Sequence, residues 1–256
     1  MSRSFYSAKI EDFLHQSTSE ILGIIHKNDV SAETKIQQSN AWEMEVNILR
    51  DQLRPFPNGR VIFEYTIPRM GKRVDIVVLC HNIIFLLEFK CGDTEYRASA
   101  YDQVYDYALD LRNFQRESHN KLIVPIIVST HAPDVQLTIN EDDRILEPLF
   151  CNANNISAAI KAIISSYQEP SFDYIQWENS EYLPTPTIVE AAQALYRGHN
   201  VHDITRSDAG AENLTVTTEE INNIIDYSRA NHRKSICFVT GVPGSGKTLV
   251  GLNLAI

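Results

Sequence analysis

The chain has 256 residues, 43% of them hydrophobic and 22% charged, with 10 Gly and 10 Pro, which excludes a disordered polymer and fits one large domain or two modest ones. Uninterrupted apolar runs such as Ile83 to Leu87 fall far short of the roughly 20 residues a membrane helix needs, and MSRSFYSAKIEDFLHQ lacks a signal-peptide core, so the expectation is a cytoplasmic protein with no membrane partner. The net charge of −10, from 33 acids and 23 bases, counts against a uniformly basic nucleic-acid binder.

The sign is segregated, however. Between Arg50 and Arg73 lie six bases (Arg50, Arg54, Arg60, Arg69, Lys72, Arg73) against Asp51 and Glu64, whereas residues 141–190 hold nine acids against Arg144 and Lys161.

In chain order, residues 1–30 read as an N-terminal helical extension. A helix is expected over about Ser31–Leu53, a strand over Val61–Ile67, a turn over Pro68–Gly71, and a strand pair over Val74–Cys80 and Ile83–Lys90. A long helix over about Tyr96–Phe114 follows, then a buried strand Leu122–Thr130, in which Pro125 must sit where no ladder donor is needed. A strand Ile145–Cys151 and a helix Ser157–Tyr167 continue the pattern. The order helix, three strands, helix, strand makes the fold class α/β, with a first domain over 31–170. Residues 171–186 read as a linker, rich in proline around Pro170, Pro184 and Pro186, and 187–256 as the start of a second domain. That domain is expected to open with a helix over Thr187–Tyr196 and a capping box at Thr217-x-x-Glu220. Cys80, Cys91, Cys151 and Cys237 have no CxxC spacing and read as reduced thiols, with Cys80, Cys91 and Cys237 in or at the ends of strands.

The chemistry starts in the strand pair. His81-Asn82 is a plausible two-residue turn because both residue types tolerate positive φ; pairing Cys80 with Ile83 then puts Asp75 opposite Glu88 on one face. Two-residue alternation adds Lys90 to that face. Opposed acids destabilise a sheet unless a cation lies between them, and hard oxygens suit a divalent ion such as Mg²⁺ (or Mn²⁺). Solvated acids neutralised by Lys90 and Arg73 are the plainer alternative. On a helical wheel Glu45 falls inside the stripe of Trp42, Ile48, Leu49 and Leu53, where an acid needs a partner, while Glu43 faces solvent. Gln103 and Tyr107, four apart, border the face of Tyr101, Val104, Ala108 and Leu111.

The set Glu45, Val74-Asp75, Glu88-Phe89-Lys90 and Gln103-x-x-x-Tyr107, on helix, strand, strand and helix, resembles the PD-(D/E)xK nuclease fold, in particular its RecB-like branch. The resemblance implies a restriction-endonuclease-like core whose mixed sheet is flanked by helices. It implies that Asp75, Glu88 and Glu45 bind the metal and that Lys90 orients the attacking water or stabilises the pentacovalent phosphate. Gln103 and Tyr107 would position the strand or the catalytic residues. Val74 stands where the pattern has proline, a common variation.

Four of the ten glycines fall in the last 16 residues. Gly241-Val242-Pro243-Gly244-Ser245-Gly246-Lys247-Thr248 satisfies the P-loop pattern G-x-x-x-x-G-K-[ST], between an expected strand Ser235–Thr240 and a helix from Leu249. In such a loop backbone N–H groups cradle the phosphates of ATP, the Lys247 ammonium meets the β and γ oxygens, and the Thr248 hydroxyl meets Mg²⁺. The sequence ends nine residues after Lys247, so a Walker B acid and further strands are not in it. The expectation is a truncated P-loop domain whose last helix exposes Leu249, Val250, Leu252 and Leu254.

FEYTIPRMGKRVDIVV, EFKCGDTEY, DQVYDYALDLRNF, PTPTIVEAAQALY and KSICFVTGVPGSGKTLVGLNLA together resemble a bacterial family of Schlafen-group-3-type DNA/RNA helicase-like ATPases with an N-terminal nuclease-like region. This implies a superfamily 1-like motor coupled to a nuclease. Glu219-Glu220 occupy the region where such motors often carry an adenine-reading Gln. Three readings stay open: a Mg²⁺-dependent nuclease fused to an ATP-binding motor, acting on DNA or RNA; a silent nucleic-acid-docking module of such a motor; and a P-loop ATPase unconnected with nucleic acid.

Overall fold

The computed structural model describes residues 3–29, 36–67, 72–142, 144–182, 208–241 and 247–255. The chain divides into two compact units, Met1–Arg112 with Asn120–Ser180, and Asn113–His119 with Glu181–Ile256.

The first unit is built on a mixed eight-stranded sheet. Its elements are β1 (Tyr6–Lys9), α1 (Ile10–His15), α2 (Thr18–Asn28), α3 (Ile36–Gln52), β2 (Arg60–Ile67), β3 (Lys72–Cys80), β4 (Ile83–Lys90), α4 (Ala98–Phe114), β5 (Ile123–Ser129), β6 (Glu141–Asp142), β7 (Ile145–Leu146), β8 (Leu149–Cys151), α5 (Ile156–Ser166) and α6 (Tyr174–Glu178). Strands β1 to β4 are antiparallel neighbours; β5 joins β4 in parallel, β7 and β8 both join β5 in parallel, and β6 closes the edge.

The hairpin has the register its turn chemistry dictates. His81 and Asn82 take φ of 48° and 64°, and Cys80 pairs with Ile83 down to Ile76 with Leu87. Pro125 also sits as required: Ile123 donates to Arg144 O on the β7 side, so Pro125, two residues on, faces the same way. There the neighbouring chain runs between Leu146 and Leu149, and Pro125 has no ladder partner on that side. The expected single strand 145–151 is therefore two short ones.

One face of the sheet carries a continuous core. Val61, Phe63, Ile76, Val78, Phe85, Leu87, Val124, Ile126 and Val128 meet Trp42, Val46 and Leu49 of α3, Ile21 and Ile25 of α2, and Ile156, Ile160 and Ile163 of α5. Residues 3–29 belong to this core and are not an extension: β1 is an edge strand on β2, and Tyr6, Ile10 and Phe13 are buried. Strand YSAK has too little apolar pattern to announce itself. The described part of 171–186 corrects a second expectation. Asp173 caps α6, Trp177 is fully buried and stacks on Tyr65 at 5.3 Å, and Glu178 accepts from Ser4, Ser7 and Arg60. A large aromatic and a carboxylate with three partners fasten this segment to the sheet through Ser180.

In the second unit, α7 (Asp208–Ala230) and α8 (Lys247–Ala255) pack together. Helix α7 runs through Thr217-x-x-Glu220, so that motif caps nothing: a capping box needs a chain turn before its first residue, and Ala209, Ala211, Glu212 and Leu214 are helix formers that carry α7 past it. The expected strand Ser235–Thr240 has no regular structure, with Ile236 and Phe238 83% and 87% exposed, and Cys237 is exposed with them. An apolar strand of this kind needs ladder neighbours, and the described residues of this unit contain no strand to supply them. Val250, expected at the surface, is buried. The expected helix 187–196, the turn 68–71 and Val242–Gly246 lie outside the described residues.

Candidate nuclease-like site

Asp75 and Glu88 lie where the hairpin arithmetic puts them, one step beyond the last ladder pair, Ile76 with Leu87. The ladder stops there because the Asp75 side chain takes over: its Oδ2 accepts the backbone N–H of Phe89 at 2.8 Å. Lys90 Nζ donates to Glu88 Oε1 at 2.7 Å and to Gln103 Oε1 at 3.3 Å. Gln103 Nε2 in turn donates to the Tyr107 hydroxyl at 2.8 Å. Strand β4 and α4 thus meet in one polar chain, from Glu88 through Lys90 and Gln103 to Tyr107. On α4 Tyr107 is buried, whereas Tyr101 and Tyr105 are half-buried and stack on each other.

A fourth acid joins them. Strand β2 pairs Phe63 with Ile76 and Tyr65 with Val74, so the position across from Asp75 belongs to Glu64. Glu64, Asp75 and Glu88 form a row across three strands. Glu64 has φ 53° and is buried. Its conformation reverses the strand's alternation: Arg60 and Tyr65, an odd number of residues apart, both engage α6, through Glu178 and Trp177. Glu64 consequently turns to α3, where Trp42 Nε1 donates to its Oε1 at 2.7 Å, while Arg73 Nε donates to its Oε2 at 2.5 Å. Sequence reading missed Glu64. Its only signal was a lone acid between Phe63 and Tyr65, and alternation alone would have aimed it at the wrong face.

Glu45 of α3 is 5% exposed, inside the stripe of Trp42, Val46 and Leu49 as its helical position predicts. Burial, then the charges of Glu64 and Glu88, push its carboxyl up to about 8. Burial raises Asp75 well above the ordinary carboxylate range, with Glu88 and Glu45 adding to it. Glu88 is raised as well, first by burial and against the opposing pull of Lys90. Carboxyls that raise one another share one low-dielectric region.

A cleft of about 670 Å³ opens beside them, lined by Asp75 and Glu64, by Gln38 of α3, by Lys72 and Arg73, and by Ser99, Asp102, Gln103, Asp106 and Tyr107 of α4. The basic run Arg50–Arg73 does not form one track. Arg50 binds Gln16 O and the Thr18 hydroxyl, Arg54 pairs with Asp51 and Arg60 with Glu178, and Arg69 lies outside the described residues. Lys72 and Arg73 are the bases on the cleft wall.

The donor types suit a divalent cation. All are hard oxygens, and Glu88 Oε2, in a side chain only 3% exposed, is buried with no hydrogen-bond partner. As they stand, no three His, Cys, Asp or Glu side chains among the described residues are gathered closely enough to hold one ion.

At the other candidate site, Lys247 and Thr248 begin α8, two residues ahead of the expected helix start at Leu249, and Lys247 Nζ donates to Gly241 O at 2.6 Å. No helix among the described residues is long and apolar enough to cross a membrane. No family model matches the chain, and comparisons with curated proteins and with solved structures return no match.

Proposed function

We propose that the first unit is a metal-dependent nuclease that hydrolyses phosphodiester bonds in DNA or RNA, joined in a cytoplasmic protein to a helicase-like, ATP-binding P-loop domain. The observation that carries the reading is the convergence of Asp75, Glu88, Lys90, Gln103 and Tyr107, from β3, β4 and α4, beside a cleft with Lys72 and Arg73 on its wall. The order and types of these residues follow the PD-(D/E)xK pattern, with Val74 in place of its proline.

Asp75, Glu88 and Glu45 are the residues that would hold Mg²⁺ or Mn²⁺. When bound, the cation supplies charge stabilisation at the scissile phosphate and a more acidic water. The protein's own groups do the rest. The backbone N–H of Phe89 fixes the Asp75 carboxyl. Gln103, itself tied to Tyr107, holds the Lys90 ammonium beside Glu88. That ammonium is the one cation in this hydrogen-bonded chain, and it is placed to orient an attacking water or to stabilise charge that develops on phosphate oxygens. Gly241–Thr248 would take the phosphates of ATP, a reading supported by its unbroken motif and by the helix that starts at Lys247.

The test is cleavage of labelled single-stranded and duplex DNA and RNA by the full chain with Mg²⁺ or Mn²⁺, beside Asp75→Ala and Lys90→Ala. Metal-dependent cleavage lost in both variants supports the nuclease. Binding without cleavage in the wild type points instead to a docking module.

A further inference from the structure

We infer that Arg73 is a pre-oriented anchor for one backbone phosphate of the nucleic-acid strand, held by a relay from Trp42 through Glu64. The inference rests on the nuclease reading and names a binding residue outside its metal and lysine set.

Arg73 is constrained on two sides. Its Nε donates to Glu64 Oε2, and its guanidinium carbon stands 4.8 Å from the centre of the Phe5 ring, in cation–π contact. Both supports are themselves fixed. Phe5 is buried and meets Trp42 edge-on at 6.3 Å. Glu64 is buried, and its other oxygen takes the Trp42 indole N–H. A guanidinium held by Nε and one face keeps its two terminal nitrogens in a set plane, the arrangement that suits bidentate contact with a phosphate. Those nitrogens have no hydrogen-bond partner among the described residues, and the side chain, 35% exposed, lines the cleft that Asp75, Gln103 and Tyr107 also line.

The backbone supports the same reading. Glu64 is a non-glycine residue in the left-handed region inside a strand, and its conformation turns the carboxylate to Trp42 and Arg73. Such backbone is strained for a residue with a side chain and persists where surrounding structure demands it, often at ligand clamps. Within the cleft the base has a task. Asp75, Asp102 and Asp106 repel a phosphate backbone, so a strand needs a fixed cation on the wall as well as any bound metal.

The experiment measures binding of labelled single-stranded and duplex DNA and RNA to the full chain by fluorescence anisotropy across a salt series, with Ca²⁺ in place of Mg²⁺. Cleavage kinetics with Mg²⁺ run in parallel. Arg73→Ala is expected to weaken binding about tenfold, the effect of losing one hydrogen-bonded charge contact, and to reduce the salt slope by about one. In cleavage it raises KM and leaves kcat nearly unchanged. Arg73→Lys recovers the slope but only part of the affinity, because an ammonium cannot make the bidentate contact. Glu64→Gln weakens binding without moving the Mg²⁺ concentration for half-maximal cleavage.

Wild-type affinity and slope in Arg73→Ala, in a wild type that does cleave, overturns the anchor and leaves the nuclease standing. A shifted Mg²⁺ midpoint in Glu64→Gln places Glu64 among the metal ligands and overturns the relay. A wild type that neither binds nor cleaves any of the four substrates overturns both readings.

Discussion

Lys90 and Glu88, two residues apart on β4, form an ion pair at 2.7 Å in which the lysine occupies one carboxylate oxygen and leaves the other, Oε2, buried and bare. A buried carboxylate half-satisfied in this way depends on its single cation.

Removal of that cation has a specific consequence. Lys90→Met leaves Glu88 beside Asp75, Glu45 and Glu64 with Gln103 alone to oppose burial, so its carboxyl rises further. Mg²⁺-dependent cleavage is expected to fall by about 10²-fold or more, the usual scale for one electrostatic group at a reacting centre. Single-turnover kinetics beside a thermal melt separates this loss from misfolding; cleavage at the wild-type rate refutes the role given to Lys90.

Glu45 makes stability depend on pH in an unusual direction. Its carboxyl is raised to about 8 in the folded protein, from an ordinary value of 4.5. The folded state therefore holds its proton more tightly than the unfolded state does. The stabilisation is complete below about pH 4.5 and is lost as pH rises toward 8. Without divalent metal, Glu45→Gln is expected to flatten this decline and to raise Tm at pH 8 by about 6 °C, the shift that roughly 2 kcal/mol produces in a domain of this size. Melts at several pH values in EDTA check it; a variant less stable than wild type at pH 8 contradicts the sign.

Trp177 tests whether 171–180 is a structural part of the first unit. Its indole is fully buried and stacked on Tyr65. Trp177→Ala is expected to cost about 3–5 kcal/mol. A free linker would lose nothing, and urea denaturation distinguishes the two outcomes.

Gly59 packs where no side chain fits. A Cβ there would stand 2.7 Å from Ile10 Cδ1, 2.8 Å from Leu79 O and 2.9 Å from Cys80 Cβ. The Ile10 methyl can shift, but the carbonyl and the Cys80 Cβ belong to the sheet. Gly59→Ala is expected to destabilise by about 1–3 kcal/mol, read as a lower denaturation midpoint at unchanged m-value.

Two copies of one motif show how local and tertiary information divide in this chain. Ser17-x-x-Glu20 is a complete capping box, with Glu20 N–H donating to the Ser17 hydroxyl and Ser17 N–H donating to Glu20. Thr217-x-x-Glu220 has the same spelling inside a continuous helix. The difference lies in the residues before the motif, which turn the chain in one case and are helical in the other.

By itself the sequence determined whatever depends on neighbours along the chain: the hairpin register from His81-Asn82, the opposition of Asp75 and Glu88, the buried placement of Glu45, and the Gln103–Tyr107 spacing. Turn dihedrals, strand alternation and helical period act over a few residues, so pattern alone reveals them. Tertiary structure alone decided that Glu64 completes the row of acids, that Arg60 serves Glu178 while Arg73 serves the cleft, and that Trp177 closes onto Tyr65. Each of those depends on a reversed strand face or on a partner more than a hundred residues away, and no local period encodes either.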